Sequence, residues 1–251
     1  MNQSFFIGAV GAHQQLKRLN IHGNNVANLN TYGFKAEKGR FTALMQNHTQ
    51  AVENQDMPYG VGSALWHTDT DFSVGPPVAT NRPQDYMIDG SGFFAVVDLN
   101  TNNVTLTRNG SFYMSSLQRD SGEVDEETGD PIMETVWYLS DQEGRFVLSD
   151  SGGMIEMDPE LPNEMQPVGI FDYANYNGMQ HLNDTRFRAI EKNGGLRVGT
   201  GKLRQGMLEN SNADFAEEIT KVIESQRAYQ MALRMVTTSD EIESTINGLR
   251  S

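Results

Sequence analysis

Residues 211–249 read SNADFAEEITKVIESQRAYQMALRMVTTSDEIESTINGL, and this stretch decides the fold. Phe215, Ile219, Val222, Gln226, Tyr229, Leu233, Val236 and Asp240 recur at three-four spacing, which lays them along one stripe of an α-helix. Further on the stripe drifts to Met235, Ser239, Ile242, Ile246 and Leu249, the slow rotation of a straight helix carrying a near-heptad pattern. No proline interrupts the run. Ser211 with Asp214 predicts a shortened capping box, Glu217 and Glu218 suit the positive helix start, and Asn247-Gly248 predicts the stop. A long helix with one apolar stripe draws its stability from what that stripe packs against. A second stripe is therefore required.

The opposite end of the chain supplies one. Phe5, Ala12, Leu19 and Val26 lie seven apart, with Ala9, Leu16 and Gly23 at the intermediate positions. Gly8, Ala9, Gly11 and Ala12 are small enough to let a neighbouring backbone come close. Periodicity leaves two readings open: an ordinary amphipathic helix on a globular core, or a coiled coil between the two chain ends.

The totals bound the rest. A chain of 251 residues makes one large or two modest domains, and 37% hydrophobic residues with 24 glycines predict a thin core with many turns. A mean hydropathy of −0.51 agrees. The net charge of −14 argues against nucleic acid or an anionic membrane as partner, since both require basic surface. Without cysteine there is no disulfide, thiolate metal site or cysteine nucleophile. No stretch approaches the ~18 apolar residues of a membrane helix. The apolar run at 5–10 is short, contains glycine and lacks a basic flank, so no cleavable signal is expected.

Asn24-Asn25-Val26-Ala27-Asn28-Leu29-Asn30-Thr31-Tyr32-Gly33-Phe34-Lys35 follows the first stripe. Its asparagines compete with helical hydrogen bonding, Asn30 or Gly33 can take positive φ, and Phe34 is an apolar anchor past the turn. The stretch ends a helix and fixes the direction of exit. The pattern formed by Asn24, Asn25, Ala27, Asn28, Thr31, Gly33, Phe34 and Lys35 is similar to the N-terminal motif of the flagellar rod and hook proteins, the axial proteins of the bacterial basal body. Asn20, His22 and Gly23 depart from the family's usual residues, and residues 6–11 lack its usual hydroxyl and Met residues.

From 36 to 83 the signal weakens to a connecting arm. Within it Trp66, Thr68, Thr70 and Phe72 alternate with polar residues, as in one half-buried strand. Tyr86-Met87-Ile88, the turn Asp89-Gly90-Ser91-Gly92 and Phe93–Val97 then predict strand, tight turn and strand. Leu106 to Tyr113 repeats the layout, with Asn109-Gly110 as a hairpin signal. Asp-Gly-x-Gly-Phe-Phe followed by Thr-Arg-Asn-Gly-x-Phe resembles the same family's β-rich domain. The acidic interval 117–135 reads as an exposed loop or hairpin tip, an insertion relative to the family pattern. Short strands at 146–148, 154–157, 168–173 and 186–190 suit an antiparallel sheet or barrel. The run 203–212, with Gln226-Arg227-Ala228-Tyr229 and Thr238-Ser239-Asp240-Glu241, is similar to the family's C-terminal motif.

Little in the chain reads as chemistry. The five histidines lack ligand spacing, and Gly199-Thr200-Gly201-Lys202 is no phosphate loop, because Leu196 and Leu203 occupy its first-glycine and hydroxyl positions. Five Asn-x-Ser/Thr sequons are close to what an Asn-rich chain provides by chance. No metal and no cofactor is expected.

The expected fold is α+β: N- and C-terminal helices pairing as a coiled coil, with a central antiparallel β-rich domain. Its parts are a terminal helix at 1–35, an arm at 36–83, the β domain at 84–206 and a second terminal helix at 207–251. The assembly seam is expected to use Phe5, Leu16, Leu19 and Val26 against Phe215, Ile219, Val222, Tyr229, Leu233 and Val236, with Asn28, Gly33 and Phe34 setting the bend beyond. The resemblance implies a non-enzymatic, torque-bearing basal-body subunit, most like the distal rod, that polymerises as a helical homopolymer with its helices as the inner layer. It implies other rod and hook proteins and the flagellar export apparatus as partners, and export without signal cleavage. A proximal rod or hook-related protein is the near alternative; a secreted β-domain enzyme or adhesin is the distant one.

Overall fold

A computed structural model of the chain describes residues 3–44, 47–50, 56–60, 62–124, 131–161, 163–183 and 185–249. The fold is α+β and divides into two compact units. One gathers Met1–Leu29, Ala36–Asp71 and Ala213–Ser251; the other gathers Asn30–Lys35 and Phe72–Asn212.

In the first unit helix α1, Gln3–Ala27, lies antiparallel against helix α2, Phe215–Gly248. The Ser4 and Ser239 hydroxyls meet at 3.1 Å near one end, and His22 Nδ1 reaches Glu218 Oε2 at 2.6 Å near the other. The cap of α2 is Asp214 alone, whose carboxylate accepts the Glu217 amide at 3.0 Å. Ser211, expected to share that role, stands before the cap and is buried. At the far end Leu249 is the C-cap, one residue past the Asn247-Gly248 stop.

Strand Glu37–Ala43 pairs antiparallel with Ser63–Thr70 beside α1, where Gln14 Oε1 accepts the Leu65 amide at 2.8 Å. A smaller antiparallel pair joins Asn47–Gln50 to Asp56–Tyr59. Trp66 does not take the half-buried place its alternation predicts and is 72% exposed. The register explains why: Arg40 pairs with His67 but Phe41 with Leu65, so Trp66 is the extra residue of a bulge.

The second unit holds an antiparallel sheet of eight strands. Along it run Glu156–Met157, Pro131–Ser140, Phe146–Val147, Phe94–Asp98, Asn103–Thr107, Arg186–Arg188 and Gln180–Asn183, while Tyr113–Val124 pairs with the other side of Pro131–Ser140. Strand Phe94–Asp98 is buried on both faces. Its side chains alternate, Phe94 and Val96 entering one core with Tyr86, Phe112 and Leu139, and Ala95 joining Phe93, Leu106 and Phe187 in another. The acidic interval lies on the Tyr113–Val124 and Pro131–Ser140 hairpin, and Asp125, Glu126, Glu127 and Asp130 fall outside the described residues.

Two turn readings fail in this unit. Tyr86–Asp89 forms no hairpin with Phe94–Asp98; it pairs with Lys202–Gln205, from the far end of the domain. Nor does Asn109-Gly110 join two paired strands. Asn109 Oδ1 accepts the Ser111 amide, and Gly110 O accepts the Tyr86 amide at 3.0 Å, so the dipeptide is spent on a crossing. A Cβ on Gly110 would stand 1.7 Å from Tyr86 O, which makes glycine obligatory by contact rather than by hairpin geometry.

Phe72, Phe93, Tyr176 and Phe187 close one end of the core with ring centroids 5.2–5.8 Å apart. Burial among these rings, with a 2.5 Å bond donated to Asp172, pushes the Tyr176 phenol up to about 12. An unfolded tyrosine releases its proton near pH ~10. Between that pH and about 12 the folded state holds the proton that the unfolded state has lost, so stability falls as pH rises through this window. Urea unfolding from pH 9 upward is expected to show that fall, and Tyr176→Phe is expected to flatten it.

Candidate functional site

Helices α1 and α2 meet along a seam that is polar or small at its most buried points. On α2 the covered positions run Glu218, Val222, Ser225, Tyr229, Ala232, Val236 and Ser239, at three-four spacing. On α1 they include Phe5, Gly8, Ala12, Leu19, His22 and Val26. Gly8 sets the approach, since a Cβ there would stand 3.0 Å from Val236 Cγ2 and 3.3 Å from Ala232 O. The buried carboxylate of Glu218 is satisfied by His22, so the one acid inside the seam does not stand unpaired.

Because small and polar residues hold the centre of the seam, large apolar residues fall on its flanks. Ile223 and Leu233 are exposed along one side of α2 and Met231, Met235, Ile242 and Leu249 along the other, while Phe215 and Ile246 are exposed where the stripe itself runs past its covered positions. Phe6 and Leu16 are exposed on α1, next to exposed Ala9 and Gly23. Of the ten predicted seam residues, Phe5, Leu19, Val26, Ile219, Val222, Tyr229 and Val236 are half-buried, and Leu16, Phe215 and Leu233 face solvent.

The second unit contains a buried ion network. Glu209 Oε1 accepts from Lys35 Nζ at 2.5 Å and from the Gly75 amide at 2.8 Å; its Oε2 accepts from Arg108 Nη1 at 3.1 Å. Lys35 also donates to Ser73 O at 2.6 Å, and Arg108 Nη2 to Gly90 O at 2.7 Å. The three side chains are at most 3% exposed. Main-chain geometry brings them together: Gly33, at φ +71°, donates its amide to Glu209 O at 2.8 Å, and a Cβ there would stand 2.3 Å from Asn109 N.

The motif residues thus divide their work. Asn25 is fully buried and exchanges two hydrogen bonds with the Glu37 backbone, at 2.8 and 2.9 Å. Asn28 donates to Asn24 O, one turn back at the end of α1, while Asn24 and Ala27 are exposed. Thr31 O accepts the Phe34 amide, and Phe34 is buried. Sequence reading named Lys35, Arg108 and Glu209 within three separate motifs but missed that they form one charge network. The signal was available, as opposite charges at the facing ends of motifs far apart in sequence. The polar seam was missed because the reading followed hydrophobicity: Ser225 lies off that stripe, and Ser239 was placed on it without a polar partner.

The segment that leaves α1 and the segment that leads into α2 thus each carry a motif of their own. A family profile described as "Flagella basal body rod protein" matches residues 7–35, and one described as "Flagellar basal body rod FlgEFG protein C-terminal" matches residues 204–249. The chain is 28% identical to the flagellar basal-body rod protein FlgG of Bacillus subtilis, over 100% of both chains. It is 28% identical to FlgG of Borreliella burgdorferi over 100% of this chain and 99% of that one. With FlgF of Caulobacter vibrioides it shares 27% over 96% and 95%. Both profiles and these full-length relatives are those of flagellar basal-body rod proteins, and the chain is a structural subunit of the rod, placed in the flagellar basal body. Among the described residues no helix is long and apolar enough to cross a membrane.

Removing one partner from a buried ion group leaves the others uncompensated, at a cost of about 3–5 kcal/mol. Glu209→Gln is expected to lower the unfolding free energy by that amount in urea titration. Exchange of the exposed pair Arg204–Asp89 for neutral residues is expected to change it by less than ~1 kcal/mol.

Proposed function

We propose that the chain polymerises through its terminal helices into a tubular shaft that transmits torque, and that it occupies the distal part of the rod. The observation that carries this is the pair of apolar flanks on α2. A helix with covered polar residues at its centre, exposed Leu233 on one side and exposed Met235 and Ile242 on the other is shaped for neighbours on both sides. In the polymer α1 and α2 act as a coiled coil, and neighbouring copies bury what one chain leaves open. A repeated contact of this kind joins unlike surfaces and need not close, as a rod requires. The full-length likeness to FlgG proteins supports the distal position. Other rod and hook proteins are its end-to-end partners, the flagellar export apparatus delivers it without signal cleavage, and it is not an enzyme.

Leu233 separates assembly from folding. It is 41% exposed in the single chain, so Leu233→Asp is expected to shift the unfolding free energy by no more than about 0.5 kcal/mol. The same change places a charge in a contact between copies. Sedimentation at rising concentration is expected to show loss of polymer, and cells carrying the variant are expected to be non-motile. Normal assembly of Leu233→Asp would sink the proposal.

A further inference from the structure

A pocket of about 280 Å³ opens in the first unit between α1, α2 and strand Glu37–Ala43. Arg18, Lys38 and Lys221 line it, with Phe41 and the buried His22. Glu224 is its acidic member. Lys38 holds Asp71 at 2.7 Å and Lys221 holds Glu217, so both lysines have a carboxylate already. Arg18 differs: it stacks over the Phe41 ring at 4.6 Å and makes no ion pair among the described residues. Ser225, on the pocket wall, is 2% exposed, and its hydroxyl has no hydrogen-bond partner among the described residues. An unmet buried hydroxyl costs free energy that an acceptor entering the pocket would recover.

The opposite end of the same helix pair has the complementary character. Asp240 and Glu241 are exposed on α2 beside exposed Ile242 and Ile246, and α1 carries no charged residue before Lys17. We propose that the pocket receives the acidic C-terminal turns of α2 from a second copy of this chain, with Glu241 meeting Arg18 and the Ser225 hydroxyl. This names the partner surface of the helix unit and rests on the reading of the chain as a polymer subunit. The contact joins one end of the helix pair to the other end of the next, so it propagates along the helix axis.

The chain has no cysteine, so Glu224→Cys with Ser244→Cys introduces the only two thiols. Twenty residues of helix, about 30 Å, separate them within one chain, well beyond disulfide reach. Polymer formed under reducing conditions and then oxidised is expected to give a ladder of covalent multimers on denaturing gels. Adding Arg18→Glu is expected to cut the ladder about tenfold, and Glu241→Arg in the same chain to restore it. Polymer without a ladder, a ladder indifferent to Arg18→Glu, or covalent dimers alone would overturn this docking and leave the polymer reading standing. Failure to form any polymer would overturn both.

Discussion

The carboxylate of Glu209 is the constraint on which the second unit depends. A charge this deep in protein is tolerable only when cations and amides meet every face of it, and here Lys35, Arg108 and the Gly75 amide do so. Each partner comes from a different part of the chain. Lys35 closes the segment leaving α1, Arg108 follows strand Asn103–Thr107, and Glu209 precedes α2. Within the second unit the network therefore fixes the segments at 30–35 and at 209 against the middle of the β domain with groups that cannot slide. An apolar substitute of equal volume would tolerate a shifted register; a bidentate carboxylate between a lysine and an arginine does not.

The helix pair shows a different balance. A seam built from Glu218, Ser225, Ala232 and Ser239 against Gly8, Ala12 and His22 buries little apolar area for its length. It gains close approach and defined hydrogen bonds instead, at Ser4–Ser239 and His22–Glu218. The apolar residues that a self-sufficient pair would bury stay at the flanks. Local sequence and single-chain structure are in tension here, and such tension marks functional surface more often than a flaw in folding.

Much of this was legible beforehand. Two long helices, their caps at Asp214 and near Gly248, and a β-rich middle follow from periodicity and turn residues alone. The face each helix turns inward was not legible, because a three-four apolar stripe fixes a helix but not the identity of what covers it. Leu16 and Leu233 fit the stripe as well as Leu19 and Val236 and still face solvent. The two hairpin signals misled for a related reason. Asp89-Gly90 and Asn109-Gly110 are turn formers in any setting, but which strands pair was decided at long range, by Lys202–Gln205 and by the crossing at Tyr86. The charge network had a signal in the opposite charges carried by three separate motifs, but no local rule relates residues 35, 108 and 209, so the pairing itself needed the fold.

The long hairpin has a consequence of another kind. Pro131–Ser140 is held by neighbours on both sides only near its C-terminal end, where Trp137, Tyr138 and Ser140 pair with Met157, Glu156 and Phe146. Farther out, beyond Leu117 and Val136, which still pack on the core, the described ladder from Gln118 with Thr135 to Val124 with Pro131 is a two-stranded ribbon. Residues can be added to or lost from such a ribbon two at a time with no cavity opened in the core and no strand displaced. In evolutionary terms it is the place where subunits sharing one framework can come to differ in length and surface charge while their helices and ion network stay fixed.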